Sequence, residues 1–173
     1  MSDSEPPQRL TVGIVREAGD WTLFDPIDPA VDAIAAALAA HPRIRASALK
    51  DATIALSSDE RVRALNLAYR GQDKPTNVLS FPSGDPDDGY LGDIILAQET
   101  VAREAAAQAI PPSHHLHHLV LHGLLHLLGY DHETDAEAAV MEGLETEILA
   151  TLGIADPYAE PGPAAAPDDG ERT

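Results

Sequence analysis

The 173-residue chain contains no cysteine. Disulfide stapling, thiolate nucleophiles and cysteine-ligated zinc or iron–sulfur centres are thereby excluded, and any metal must be held by nitrogen and oxygen donors. Long apolar runs are missing too. Nowhere do about eighteen apolar residues follow one another, the length a membrane helix needs, and the opening MSDSEPPQRL has no basic region followed by an apolar core. Neither a membrane span nor a signal peptide is expected, and the plain expectation is a soluble cytoplasmic protein with no membrane partner. Positive charge is scarce: 11 Lys and Arg stand against 29 Asp and Glu, a formal net charge of −18. Such a chain repels nucleic-acid backbones, which excludes a protein that coats DNA or RNA by charge alone. Contact with a nucleic acid would have to be local and metal-assisted.

The length suits one domain with a real core. Residues 1–8, with two prolines and no apolar period, read as a flexible arm, and residues 160–173 as a disordered acidic tail rich in Pro and Ala, leaving 9–159 as the domain. Within it, Leu10 to Val15 is β-rich. Val31 to Ala40 has helical spacing, with Asp28 available as a cap and Pro29 suited to the first turn. "DATIALS" alternates as a strand, and Ser58 can cap "DERVRALNLAYR", whose Val62, Leu65 and Tyr69 form a stripe expected to face inward. "NVLSFP" and "LGDIILA" read as strands around the turn-rich "SGDPDDG", and from Glu99 onward the chain is helical. Strands early, helices late, no repeated unit and no Gly-rich phosphate loop together predict an α+β domain in which helices pack on one sheet.

"HGLLHLLGYDH", residues 122–132, holds three of the eight histidines. Ser113 is placed to cap a helix running to Leu128 and ending at Gly129, and His118, His122 and His126, four apart, stack on one face of it. Two imidazoles at i and i+4 can bind one ion, and Gly129 lets the chain leave the helix so that His132 returns to the pair. A three-nitrogen site with an open fourth position is what a catalytic zinc requires. His118, one turn earlier, is open to four readings: an outer partner of the ligands, a substrate contact, a merely packed residue or a fourth ligand. His41, His114, His115 and His117 are read as ordinary surface or packed histidines. The spacing also matches the zinc-peptidase pattern H-E-x-x-H-x-x-G-x-x-H, except that Gly123 stands where the glutamate base belongs, so a base would have to come from elsewhere, such as Asp131 or Glu133.

In "LAYRGQDKPTNVLSFP", residues 67–82, Arg70 ends a helix and Lys74 lies in the following loop. For Arg70 the residues alone leave two roles equally open: a planar fork for phosphate oxygens, or a partner for one of the many carboxylates. Lys74 is expected to be solvated. Ser80 and Phe81 end a strand, where side chains often line a cleft. Gly92 is expected to allow close backbone approach, and Asp93 to orient a histidine or cap a turn.

These two stretches, with "LGDIILA" and "MEGLETEIL" in register around them, resemble the YbeY family of rRNA maturation factors, which are single-strand-specific endoribonucleases. The likeness covers roughly Asp51 to Tyr158. It implies an α+β fold with a small mixed sheet and a metal-binding helix in the C-terminal half. It also implies one zinc on His122, His126 and His132, with Arg70 as the catalytic basic residue facing it across a cleft; Ni²⁺ or another divalent ion could replace zinc in a purified sample. Lys74, Ser80, His118, Asp93 and Asp131 are candidates for outer or substrate contacts. The implied activity is hydrolysis of phosphodiester bonds in single-stranded RNA, in 16S rRNA maturation including the 3′ end and in ribosome quality control. DNA is not an expected substrate. With so few cations near Arg70, a ribosomal or ribosome-associated protein partner is expected. The alternatives are a non-catalytic ribosome-assembly factor with a structural metal, and a zinc peptidase or other hydrolase.

Overall fold

The computed structural model describes residues 10–45, 48–84 and 89–159. The predicted arm at 1–8 and tail at 160–173 lie outside the described residues. Four strands form one sheet: β1 (Val12–Arg16), β2 (Asp51–Ser57), β3 (Val78–Pro82) and β4 (Tyr90–Ala97), in the order β1-β2-β4-β3. The β1–β2 and β2–β4 pairs are parallel and β3–β4 is antiparallel, so the sheet is mixed and the fold is α+β, as expected. Among the described residues five α-helices complete it: α1 (Ile27–Ala40), α2 (Asp59–Arg70), α3 (Gln98–Gln108), α4 (Pro112–Leu127) and α5 (Asp135–Thr151).

Strand alternation sorts the sheet into two faces. Ala52, Ile54, Leu56, Val78, Ile94 and Leu96 point into the main core, which is closed by α1, α4 and α5. The odd positions Leu79, Ile95 and Ala97 point the other way and meet Val62 of α2 in a second, smaller cluster. Helix α4 lies at the centre because it is apolar on most of its circumference: Leu116, Leu119, Val120, Leu121, Leu124, Leu125 and Leu127 are all buried. Burying a leucine stabilises by roughly 1.5–3 kcal/mol, so the helix that carries the histidines is anchored by its own leucines.

Two glycines set how closely α4 approaches the sheet. A Cβ on Gly123 would stand 2.9 Å from Cδ1 of Ile94, and one on Gly92 would stand 2.5 Å from the Phe81 carbonyl oxygen and 2.8 Å from Cδ2 of Leu127. Gly92 also holds φ at +148°, a backbone region L side chains avoid. The expected close approach at Gly92 is therefore present, and Gly123 is a second such position.

Helix starts differ from the sequence reading in two places. α1 begins at Ile27 with Pro26 before it, so Asp28 lies in the first turn, where it pairs with Arg16 at 3.0 Å. α4 begins at Pro112 with Pro111 in the cap position and no side-chain cap, so Ser113 sits inside the helix. Proline, lacking an N–H and preset in φ, starts a helix without needing that cap. Ser58 does cap α2, accepting from the Arg61 amide, and Thr134 with Glu137 forms a full capping box on α5. The inward stripe on α2 stops short: Val62 is buried, but Tyr69 is 71% exposed, its ring edge-on to Phe81. The buried position one turn beyond Val62 is Asn66, whose side chain donates to the Lys74 carbonyl.

Candidate metal centre

Helical spacing on α4 stacks His122 over His126, with ring centroids 4.6 Å apart. The helix ends at Leu127, and Gly129 then takes φ +103°. The amides of Gly129 and Tyr130 close the turn onto the carbonyls of His126 and Leu125. Asp131 accepts the His132 amide at 2.7 Å, which fixes the return of the chain. His132 consequently stacks near His122 and His126, at 5.6 and 5.0 Å between centroids. One ligand nitrogen from each of the three lies within 4.8 Å of the others.

Glu145 on α5 decides which nitrogen of His122 faces that cluster. Its side chain is fully buried, and it accepts from Nδ1 of His122 at 2.6 Å. The His122 proton therefore resides on Nδ1, and Nε2 presents a lone pair 3.1 Å from Nε2 of His126. Burial, followed by the neighbouring His122 and His132, lowers the His126 imidazolium to about 4, so that ring is neutral near pH 7. At that distance one ring nitrogen donates to the other in the absence of an ion, and a divalent cation would take the lone pairs of both. Geometry and donor chemistry thus both fit a divalent ion on His122, His126 and His132. Inward the cluster is closed by His122 and Glu145; on its other side His132 is exposed and His126 half-buried, which leaves a position open to solvent.

His118 lies inside this network without joining the three nitrogens. Its Nε2 meets Glu145 at 3.1 Å and the Tyr158 hydroxyl at 3.2 Å, and Tyr158 also donates to Glu145. Burial pushes the Glu145 carboxyl up, but the hydrogen bonds from His118 and His122 outweigh it and hold it at about 2. Glu145 is the residue that motif reasoning missed. A signal was present: it falls among Met141, Leu144 and Ile148 on the buried face of α5, where a lone carboxylate calls for a partner.

The remaining candidates are distributed as follows. Arg70 is exposed at the C-terminal end of α2, with no carboxylate partner among the described residues, whereas its neighbour Arg63 is paired with Asp73 at 2.6 Å. Lys74 is exposed, as expected. Ser80 sits opposite Ile94 in the β3–β4 ladder and so shares the face that α4 covers. Asp93 does not orient a histidine: strand alternation puts it on the α2 face, where it accepts the Tyr90 hydroxyl. Glu133 is exposed beside His132. His115, read as a packed histidine, is buried and bonded to Glu104, which also accepts from Asn77. Gly123 leaves no room for a glutamate, because the backbone there faces Ile94.

Comparison with known proteins gives a consistent picture. A family model described as Endoribonuclease YbeY matches residues 26–153. A protein of Rhodospirillum rubrum named Endoribonuclease YbeY is 60% identical over 116 residues, 62% of this chain and 58% of its own length. The chain therefore spans less than two thirds of that relative. An Azorhizobium caulinodans protein of the same name is 48% identical over 158 residues, 88% of this chain and 98% of that protein. The solution structure of TM1509 from Thermotoga maritima shares the fold, with a TM-score of 0.52 at 24% identity over 89% of this chain and 99% of that one.

Proposed function

This chain belongs to the YbeY endoribonuclease family, and from that premise we propose that it is a zinc-dependent endoribonuclease. It cuts phosphodiester bonds in single-stranded RNA in the cytoplasm, acting in maturation of 16S rRNA including the 3′ end and in ribosome quality control. The observation that carries the reading is the convergence of His122, His126 and His132, with the His122 tautomer set by Glu145.

A zinc ion held by these three nitrogens would lower the pKa of a water and polarise a phosphoryl oxygen. The chain's own groups do the rest. Glu145 keeps the proton of His122 on Nδ1, and His118 and Tyr158 hold Glu145 in place. Arg70, exposed at the end of α2 and free of carboxylate partners among the described residues, presents its fork to the non-bridging oxygens and stabilises the charge that develops there. Attack by water is the route proposed; a 2′,3′-cyclic phosphate end would mark attack by the RNA's own 2′-hydroxyl instead. Gly123 argues against a peptidase, since the general base of that pattern has no space. A single strand can bend its phosphate toward the histidines, whereas an A-form duplex must fit as a rigid body. With a net charge of −18, productive RNA contact is expected to involve a ribosomal or ribosome-associated protein.

The test compares single-stranded RNA, duplex RNA and an unstructured peptide, using zinc-loaded parent protein beside His126→Ala. Cutting of the single strand alone, lost in the variant, is the expected result. Metal-dependent peptide cleavage without RNA cleavage overturns the reading. Assembly of small subunits without any cleavage favours a non-catalytic factor.

A further inference from the structure

In a chain this acidic, an arginine without a carboxylate partner needs a reason. Arg16, Arg61, Arg63 and Arg103 are engaged by Asp28, Glu17, Asp73 and Asp59 respectively. Arg43 and Arg45 are exposed, and neither has a carboxylate partner among the described residues. They flank the buried Ile44, so the apolar residue turns inward and both guanidinium groups turn outward.

Both arginines line a cavity of about 150 Å³ together with Ile44, Leu128, Gly129 and Tyr130. Its far wall is the turn that leads from His126 to His132. From Tyr130 to His132 is two residues, at most about 7 Å of chain. The arginine side is held in place: His41 accepts the Arg43 amide at 3.1 Å and meets Glu147 of α5 at 2.8 Å. The nearest acidic group on the turn, Asp131, has an oxygen on the His132 amide. A Cβ added at Gly129 would meet nothing within 4 Å, so that backbone stands open to a ligand.

We propose that this cavity is a phosphate subsite that holds the backbone of the RNA strand beside the bond being cut, with Arg43 and Arg45 as its anion-binding residues. It rests on the reading of the histidine cluster as an RNA-cleaving site. Arginine forks match phosphate oxygens, and two of them concentrated here supply local attraction against a net charge of −18. The subsite's lining includes neither Arg70 nor any of the three histidines, so binding and turnover separate.

The experiment measures anisotropy of a fluorescent single-stranded oligoribonucleotide, read before cleavage proceeds, across a series of salt concentrations. The proteins are the zinc-loaded parent, R43A/R45A, R43K/R45K and R16A/R103A, the last removing two paired cations elsewhere. Each lost contact to a single strand lowers the salt slope by about 0.7. For R43A/R45A the slope should therefore fall by about 1.4 and the affinity near 0.1 M salt by roughly 25-fold, with kcat near the parent's and KM raised. R43K/R45K should keep the slope, and R16A/R103A should match the parent. A slope unchanged in R43A/R45A, or reduced equally in R16A/R103A, overturns the subsite while leaving the nuclease reading intact. If the parent binds with an Arg43- and Arg45-dependent slope yet never cuts RNA, the subsite stands and the nuclease reading falls. If the parent binds no RNA at any salt, both fall.

Discussion

Replacing Glu145 by Gln should separate metal affinity from folding. The carboxylate has two acceptor oxygens and receives three donors: His122 Nδ1 at 2.6 Å on one oxygen, and His118 Nε2 at 3.1 Å with the Tyr158 hydroxyl on the other. Gln has nearly the same shape but offers one acceptor and one NH₂. If its oxygen stays with His118 and Tyr158, the NH₂ faces Nδ1 of His122. That ring must then accept, moving its proton to Nε2 and withdrawing the lone pair from His126 and His132. If the amide turns over, His122 keeps a weaker, neutral acceptor, and the NH₂ confronts two donors. In either arrangement zinc affinity should fall about 10- to 100-fold, or roughly 1.4–2.7 kcal/mol. Competition with a chromophoric chelator at neutral pH reads this directly, and the circular dichroism of the metal-free variant shows whether the fold is kept. Zinc affinity within about twofold of the parent would refute the claim that Glu145 sets the His122 tautomer. Glu145→Ala is the poorer probe. It leaves three donors unpaired in the core, and losing one partner of a buried ionic network costs about 3–5 kcal/mol.

Other expectations follow from the same geometry. His126→Ala should leave the folded chain without stoichiometric zinc, as elemental analysis would show; a full zinc complement would sink the three-histidine site. Arg70→Ala should keep the parent's thermal midpoint and zinc content while turnover on RNA drops by roughly 10²–10³, the scale for one lost charge-stabilising donor, and unchanged turnover removes Arg70 from the chemistry. Gly92→Ala should lower the denaturant midpoint by more than the usual overpacking cost of about 1–3 kcal/mol, because the added Cβ meets a backbone carbonyl at 2.5 Å as well as a strained φ. Glu145, held at about 2 against its ordinary 4.5, has a depressed folded pKa. Its stabilisation, about 3 kcal/mol at most, is fully present above pH 4.5 and is lost as pH falls toward 2. The stability gap between parent and Glu145→Gln should narrow across that window, and a gap independent of pH there would contradict the assignment.

The element types and the three nitrogens were legible along the chain because each depends on local spacing. Period two marked β2, apolar runs around a turn-rich loop marked β3 and β4, period 3.6 marked α1 and α4, and the i, i+4 histidines followed by Gly129 needed only helix geometry and a positive φ to converge. The outward turn of Tyr69, the packing of Gly123 on Ile94, the Glu145 bonds to His118 and His122 and the pairing of Arg43 and Arg45 with the Leu128–Tyr130 turn were not legible there. Each of these joins residues distant in sequence or depends on which face of the sheet a helix covers. Side-chain chemistry and short-range periodicity decide what a segment can become and which atoms can bind a metal. Only the tertiary packing of α4 between the sheet and α5 decides that His122 carries its proton on Nδ1, because the carboxylate that accepts its hydrogen bond arrives from 23 residues away.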